Sequence, residues 1–162
     1  RQMTQIAPFM SSLMEVEKDW IDYNGHLNMA YYSVLFDRGI DHAYPYFGYG
    51  ETVAVERGLT TYTADFRISY IRELHVGQRV RCSTQLIEID RKRFHTYQEL
   101  FHEDGWLAAT AEALTLHIDM TGPRVAEMPD DIYDKLSAIA ALHAQLPRPE
   151  RLGRPIGIPR KP

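Results

Sequence analysis

Between residues 28 and 47 apolar side chains fall on nearly every side of a helical projection: Met29, Ala30, Tyr32, Val34, Leu35, Phe36, Ile40 and Ala43. A helix apolar on most faces must be enclosed by other elements and cannot lie on a surface. Asn28 is a good N-cap, and its side-chain oxygen is expected to accept the backbone N–H of Tyr31. Leu27 and Tyr32 occupy the staple positions that fix how the chain enters the helix. Pro45 and the Gly48/Gly50 pair are expected to end it.

After residue 50 the apolar period changes to two. Tyr62–Tyr70 alternates loosely, and Val76-Gly77-Gln78 marks a turn. Val80, Cys82, Thr84 and Leu86 share one face of the next strand, whereas Ile87 and Ile89 share the other, a switch that predicts a bulge or strong twist. Arg93–Phe101 is a further strand, closed by a hairpin turn at Glu103-Asp104-Gly105. In Leu107–Ile118 one face carries Ala109, Ala111 and Ala113, small enough for a helix to lie close; Leu114, Leu116 and Ile118 take the other. Asp130–Leu146 predicts a second helix with a stripe of Ile132, Leu136, Ile139, Leu142 and Leu146.

One buried helix followed by a meander of long antiparallel strands is an α+β pattern. The sheet should wrap around the helix, and one small sheet cannot easily cover all of it. A homodimer or homotetramer joining two sheets edge to edge would complete the wrap and remove an exposed edge.

Length, composition and charge narrow the class. With 162 residues, 44% hydrophobic and 25% charged, one globular domain is expected. Cys82 is the single cysteine, which excludes an internal disulfide framework and suits a reducing compartment. The net charge of −4 argues against a nucleic-acid binder. No apolar stretch approaches the roughly 18 residues of a membrane helix. Arg1 to Met14 lacks a charged region followed by an apolar one, so no signal peptide is expected and a cytoplasmic location is.

The charge is uneven. Residues 147–162 hold five of the nine prolines and five Lys/Arg against one Glu, a +4 tail on a −8 body. The expected division is therefore a domain at 1–146 and a basic, Pro-rich tail at 147–162. The tail is either a solvated extension or a strap that docks by Leu152, Ile156 and Ile158 and offers arginine to an anion.

Asp22-Tyr23-Asn24-Gly25-His26-Leu27-Asn28 packs a carboxylate, an imidazole and two amides immediately before the capped helix. A helix N-terminus presents unsatisfied N–H groups and partial positive charge. Those N–H groups could polarise a carbonyl oxygen while Asp22 attacks or activates water, with Gly25 permitting close backbone approach. An Asx-turn followed by an N-cap would use the same residue types for purely structural ends.

Asp-x-x-Gly-His-x-Asn before an aromatic-rich helix resembles the signature of hotdog-fold acyl-CoA thioesterases of the hydroxybenzoyl-CoA type. Asp22, Gly25, His26, Asn28 and Tyr32 match it, with Leu27 where Val is usual. The family's second landmark, a tyrosine-containing strand before a Glu-x-x-x-Gly turn, is matched by Ser69 to Gly77, with Tyr70, Glu73 and Gly77 at the key positions. Asp-Tyr-Asn-Gly-His-Leu-Asn with a later Asp-Arg-Lys-Arg-Phe-His is similar to the thioesterases of carnitine breakdown, which act on betainyl-CoA. The resemblance implies a hotdog fold, an acyl-CoA substrate and no metal or redox cofactor. It implies Asp22 as nucleophile or general base, the N–H near Met29 as the group polarising the thioester carbonyl, and Gly25, His26 and Asn28 as the framing turn. Many relatives carry a second Asp two positions before the catalytic one; Trp20 stands there in this chain.

Arg91-Lys92-Arg93 is the best basic run in the body. It either meets the phosphates of coenzyme A, as the resemblance implies, or forms a solvated hairpin end. His95 reads as a structural histidine. Nine of the eighteen aromatics lie between residues 20 and 49; most suit core or interface packing, and Trp20, Tyr23 and Tyr31 could instead cage a quaternary ammonium. The seven histidines show no metal-ligand spacing, and no Gly-x-Ser-x-Gly elbow supports a serine triad. Two other functions stay open: a hotdog protein that only binds acyl groups, and a dehydratase on a hydroxyacyl thioester.

Overall fold

Small residues let the long helix sink onto the sheet. In the computed structural model, which describes residues 5–162, helix α1 (Tyr32–Phe47) follows a 3-10 turn at Met29–Tyr31 and lies across three strands. They are β4 (Arg79–Ile89), β5 (Arg93–His102) and β6 (Leu107–Asp119). Leu35 and Phe36 of the helix share a core with Val80, Cys82, Leu100, Ala109 and Ala111. Gly39 faces Cys82 so closely that a Cβ added there would stand 2.5 Å from Sγ and 2.6 Å from Cβ.

The remaining elements are β1 (Phe9–Met10), β2 (Met14–Glu15), a 3-10 turn at Lys18–Trp20, α2 (Glu51–Arg57), β3 (Leu59–Tyr70), β7 (Arg124–Val125) and α3 (Asp130–His143). All strand pairs are antiparallel, and the sheet runs β1-β4-β5-β6-β3, with β2 beside β4 and β7 beside β6. This is the expected α+β arrangement of a sheet curved around one helix. No helix among the described residues is long and apolar enough to cross a membrane.

Helix α1 is less apolar on its outer side than its composition suggests. Tyr32, Leu35, Phe36, Gly39, Ala43 and Phe47 are buried at helical spacing, whereas Asp37, Arg38, Asp41 and His42 face solvent. Met29 is 67% exposed. Met29 and Ala30 precede the helix and are exposed, and Val34 and Ile40 are only half-buried, so the helix is one-sided within a single chain. Pro45 does not end it; the helix runs on to Phe47, and Gly48, at φ +98°, caps it by donating to the Tyr44 carbonyl at 2.9 Å. Helix α2 lies between Gly50 and Gly58, where the sequence showed only a change of period.

The expected irregularity in β4 is present as a register shift between Leu86 and Glu88. At this bulge the Leu86 N–H donates to His143 Nδ1 at 2.9 Å. His143 is buried on α3, whose inward stripe is Ile132, Leu136, Ile139 and His143. Leu142 is instead 39% exposed, and α3 ends at His143, short of Leu146. A histidine thus displaced a leucine from the predicted stripe, because the bulge amide needs an acceptor. Leu114 likewise faces outward and is exposed.

The tail divides in two. Leu152 is buried, and the Gly153 N–H donates to Glu112 Oε2 at 2.9 Å. Glu112 also holds Arg67 at 2.6 Å and His95 at 3.1 Å. Ile156 and Ile158 are 90% and 92% exposed, so of the three apolar residues expected to strap the tail down only Leu152 does so. Arg154 pairs with Glu150 at 3.1 Å.

Two predictions follow from the packing. Alanine normally improves on glycine inside a helix, yet Gly39→Ala should lower unfolding free energy by about 1–3 kcal/mol through overpacking against Cys82. Cys82→Gly in the same chain should recover part of that loss, as read by urea unfolding; additive effects would show that the two do not meet. The second concerns acid. Burial pushes the pKa of His117 and His143 below the ordinary 6.5, so the unfolded chain binds protons first as pH falls. Stability should be complete above about pH 6.5 and decline below it, by at most roughly 1.4 kcal/mol per pH unit for each histidine. His143→Asn, whose carboxamide oxygen can accept the same N–H, should flatten the decline; equal slopes in the two proteins would refute this origin.

Candidate active site

Residues 20–28 form a tight hairpin held by its own backbone. The Asn28 N–H donates to the Trp20 carbonyl at 2.8 Å, and the Asp22 N–H to the His26 carbonyl at 2.9 Å. Ile21 and Leu27 bridge between them. Gly25 turns the tip at φ +81°, where a Cβ would meet nothing within 4 Å. Glycine is needed here for the left-handed backbone, and the space beside it is open.

Asp22 caps this turn with one oxygen only. Its Oδ1 accepts the N–H of Asn24 at 2.9 Å and of His26 at 3.3 Å; Oδ2 has no hydrogen-bond partner among the described residues. The Asx-turn and the chemical role, alternatives on sequence alone, are thus compatible within one half-buried carboxylate.

The hairpin is docked on the loop between β3 and β4. The Leu27 N–H donates to the Leu74 carbonyl at 2.8 Å, and both leucines are buried in the main core. Their neighbours then meet outside it. His26 Nε2 lies 3.1 Å from Glu73 Oε2, His75 Nδ1 lies 3.3 Å from the Gly25 carbonyl, and the two imidazoles meet edge to face at 5.1 Å.

Asn28 caps the helix, with a different partner from the one predicted. Its Oδ1 accepts the N–H of Ala30 at 2.9 Å, and the Tyr31 N–H goes to the Asn28 carbonyl at 2.9 Å because the first turn is 3-10. Leu27 and Tyr32, the staple pair, share the core. Met29, between the bonded amides of Asn28 and Ala30, has an N–H with no partner among the described residues. The Tyr70 hydroxyl donates to the Met29 carbonyl at 2.9 Å, and the Tyr70 ring meets Tyr32 edge to face at 4.9 Å. Burial raises the pKa of both phenols, so they are neutral donors at neutral pH. An unpaired amide at the positive end of a helix can polarise a carbonyl, and a carboxylate with a free oxygen can supply or activate a nucleophile.

The other predicted residues fall in two places. Trp20 is buried and stacks on Tyr31 at 6.0 Å between centroids, and the Arg38 guanidinium sits 4.9 Å from the Trp20 ring centre. Tyr23 is 98% exposed at the hairpin tip. These three rings therefore do not form a cage within one chain: Tyr23 stands away, and Trp20 already carries a cation. The basic run is also largely engaged. Arg91 pairs with Asp130 at 2.8 Å and lies over the Tyr133 ring at 4.2 Å. Arg93 is held by Asp90 at 2.6 Å, which keeps the Asp90 carboxyl below its usual pKa. Lys92 is the member without a side-chain partner among the described residues. Arg93 aligns through Leu116 with Tyr62, at the far end of β3 from Tyr70. At about 3.3 Å per residue that is roughly 26 Å of strand.

Tyr70, Glu73 and His75 were not among the predicted site residues. The tyrosine strand and its Glu-x-x-x-Gly turn were the available signal, but only the fold shows that they close on the Asp22 hairpin.

A family model described as the thioesterase-like superfamily matches residues 16–136. The betainyl-CoA thioesterase of Pseudomonas aeruginosa is 34% identical over 142 residues, 87% of this chain and 89% of that protein. The L-carnitine dehydrogenase/betainyl-CoA thioesterase of Rhizobium meliloti is 33% identical over 88% of this chain, which spans 29% of that protein's length. A Staphylococcus aureus protein solved in complex with CoA superposes with a TM-score of 0.86 at 24% identity, over 98% of this chain and 100% of that one, a likeness of fold. Together with the sheet-wrapped helix and the Asp22 motif, these matches establish that the chain belongs to the thioesterase-like superfamily and is a thioester hydrolase of the hotdog fold.

Proposed function

We propose that the chain hydrolyses betainyl-CoA, releasing betaine and coenzyme A, with Asp22 and the Met29 amide as the reacting pair. The observation that carries the site is the Asp22 carboxylate with Oδ2 free, held by a hairpin that leads through Asn28 directly into the helical turn where the Met29 N–H is unpaired. The thioester oxygen accepts from Met29 as negative charge develops on it. Asp22 Oδ2 either takes a proton from the attacking water and passes it to the sulfur as the C–S bond breaks, or attacks the carbonyl carbon and expels the thiolate, which takes a proton from solvent, to leave an acyl–Asp22 anhydride that water then hydrolyses to betaine and the free carboxylate. Gly25, His26 and Asn28 hold the turn, and Tyr70 positions residue 29 through its carbonyl. The betainyl group is supported by the 34% and 33% identical relatives that bear this activity in their names. The same relatives disfavour the non-catalytic and dehydratase readings.

The trimethylammonium of a betainyl group lies one methylene from the thioester carbonyl, so the ring that recognises it must be near Met29. Tyr70, bonded to Met29 and 47% exposed, meets that requirement; Trp20, Tyr23 and Tyr31 do not meet it as a set, because Tyr23 stands out in solvent. The −8 body also favours a cationic acyl group.

We further propose a homodimer, alone or within a homotetramer. Among the described residues strand β3 ends the sheet with one edge unpaired and exposes Tyr62, Phe66 and Tyr70. Beside it Val34, Ile40 and Tyr44 of α1 line a groove of about 420 Å³. Antiparallel pairing of β3 with its copy reverses one strand against the other. The partner's Arg91–Arg93 end then approaches this chain's Asp22, with Lys92 available to a CoA phosphate. On this reading residues 1–146 are the catalytic domain, 147–162 an appended tail, and the cytoplasm the location.

Three outcomes are expected. Asp22→Asn should keep its circular dichroism and lose about 100- to 10,000-fold in kcat; wild-type turnover would overturn the mechanism. Betainyl-CoA should exceed its neutral isostere tert-butylacetyl-CoA in kcat/KM by about tenfold, the worth of one good cation–π contact. Tyr70→Phe should retain this preference and Tyr70→Leu lose it; equal rates for the two acyl groups in wild type would leave a thioesterase of another specificity. Light scattering should give at least twice the 18.7 kDa of the chain, and a monomer at micromolar concentration would refute the edge-paired dimer.

A further inference from the structure

We infer that His26, Glu73 and His75 form a binding site for a divalent transition metal, of the Zn²⁺ or Ni²⁺ class, whose occupation slows hydrolysis at Asp22. Each residue offers one ligand atom, and the three atoms lie within 4.8 Å of one another. Two imidazoles and a carboxylate are the donor set that these borderline ions prefer. Adjacent ligand atoms around a tetrahedral zinc stand about 3.3 Å apart, from bonds of about 2.0 Å. The 3.1 Å between His26 Nε2 and Glu73 Oε2 is already near that span.

The three side chains converge because two backbones are locked together. Leu74 is buried, so its neighbours Glu73 and His75 both leave the core on the solvent side. The Leu27 N–H bonded to the Leu74 carbonyl places His26 next to them. His75 is steadied from behind: its N–H donates to Gln78 Oε1 at 2.9 Å, and its Nδ1 can donate to the Gly25 carbonyl. With the proton on Nδ1 for that bond, Nε2 keeps its lone pair for a metal, the usual arrangement for a metal-binding imidazole. Three protein ligands leave further positions open to water. Sequence spacing concealed the site, since its ligands come from two distant segments.

The coupling to activity rests on the proposed role of Asp22. A metal would tie the hairpin to the β3–β4 loop through His26, four residues from Asp22 and one from the glycine that shapes the tip. A divalent charge held on the hairpin by His26 would also stabilise the Asp22 carboxylate and so weaken it as nucleophile or base.

The test uses untagged full-length protein stripped with EDTA and titrated with Zn²⁺ alone by calorimetry, with Co²⁺ ligand-field absorption as a second readout. Wild type should bind one equivalent, and His75→Ala should bind at least about 100-fold more weakly, a ligand counting for no less than an outer-shell partner. Zn²⁺ should raise the melting temperature of wild type and leave His75→Ala unchanged. Hydrolysis by wild type should fall with Zn²⁺ and return with EDTA, while the rate of His75→Ala, compared with its own metal-free rate, should not change with Zn²⁺. Equal Zn²⁺ affinity in the two proteins overturns the site, and specific binding with undiminished turnover overturns the inhibition. Specific binding by a wild type that hydrolyses no acyl-CoA would count against the proposed function and leave the metal site standing.

Discussion

The fold depends on how closely α1 approaches its sheet. Gly39 lies against Cys82, and Ala109 and Ala111 lie under the same helix, so the backbones come nearer than ordinary side chains would permit. That proximity buries Leu35 and Phe36 on one strand set and Ala43 and Phe47 on the α3 side. It also fixes where the first turn of the helix stands. The unpaired Met29 amide is useful only because the helix behind it cannot shift.

The site is then assembled from parts that each satisfy a local requirement. The Asp22 carboxylate closes its own turn with one oxygen and keeps the other. Asn28 satisfies Ala30 and, through its carbonyl, Tyr31, which isolates the amide between them. Tyr70 reaches across from the edge strand to the same residue. The chemistry therefore sits at a junction of hairpin, helix start and sheet edge, and a distortion in any of the three would reach it.

Much of this was legible before the fold was known, and the losses have common causes. Local signals survived: the Asn28 cap, the alanine face of β6, the β4 bulge and the Asp22 turn all arise from neighbours in sequence. The bulge was readable because Leu86 and Ile87 break the alternation themselves. Most of what failed depended on partners far away. Arg91 is held by Asp130, 39 residues on, whereas the Asp90 that holds Arg93 stands only three residues before it and was within reach of a local reading. Tyr23 and Trp20 are three residues apart, yet one stands in solvent and the other holds Arg38. The stripe of α3 was misread at its end because His143 answers a donor on β4, not the hydrophobic pattern of its own helix. Glu73 and His75 lie in the Glu-x-x-x-Gly turn, which marks a turn but not what it meets; the Leu27–Leu74 bond explains their meeting with His26.

The bond between the Leu86 amide and His143 sets a limit on the length of the chain between them. Each residue inserted in or removed from α3 would turn its last turn by about 100°. The imidazole would swing away from the bulge, and a buried donor would be left without an acceptor. The helix therefore acts as a gauge, with Ile132 and Leu136 seating one end and His143 marking the other. Beyond His143 nothing measures the chain so strictly until Leu152 is buried and Gly153 meets Glu112. Changes of length are accordingly tolerable in the proline-rich stretch after α3, and past Gly153, but not within the helix itself.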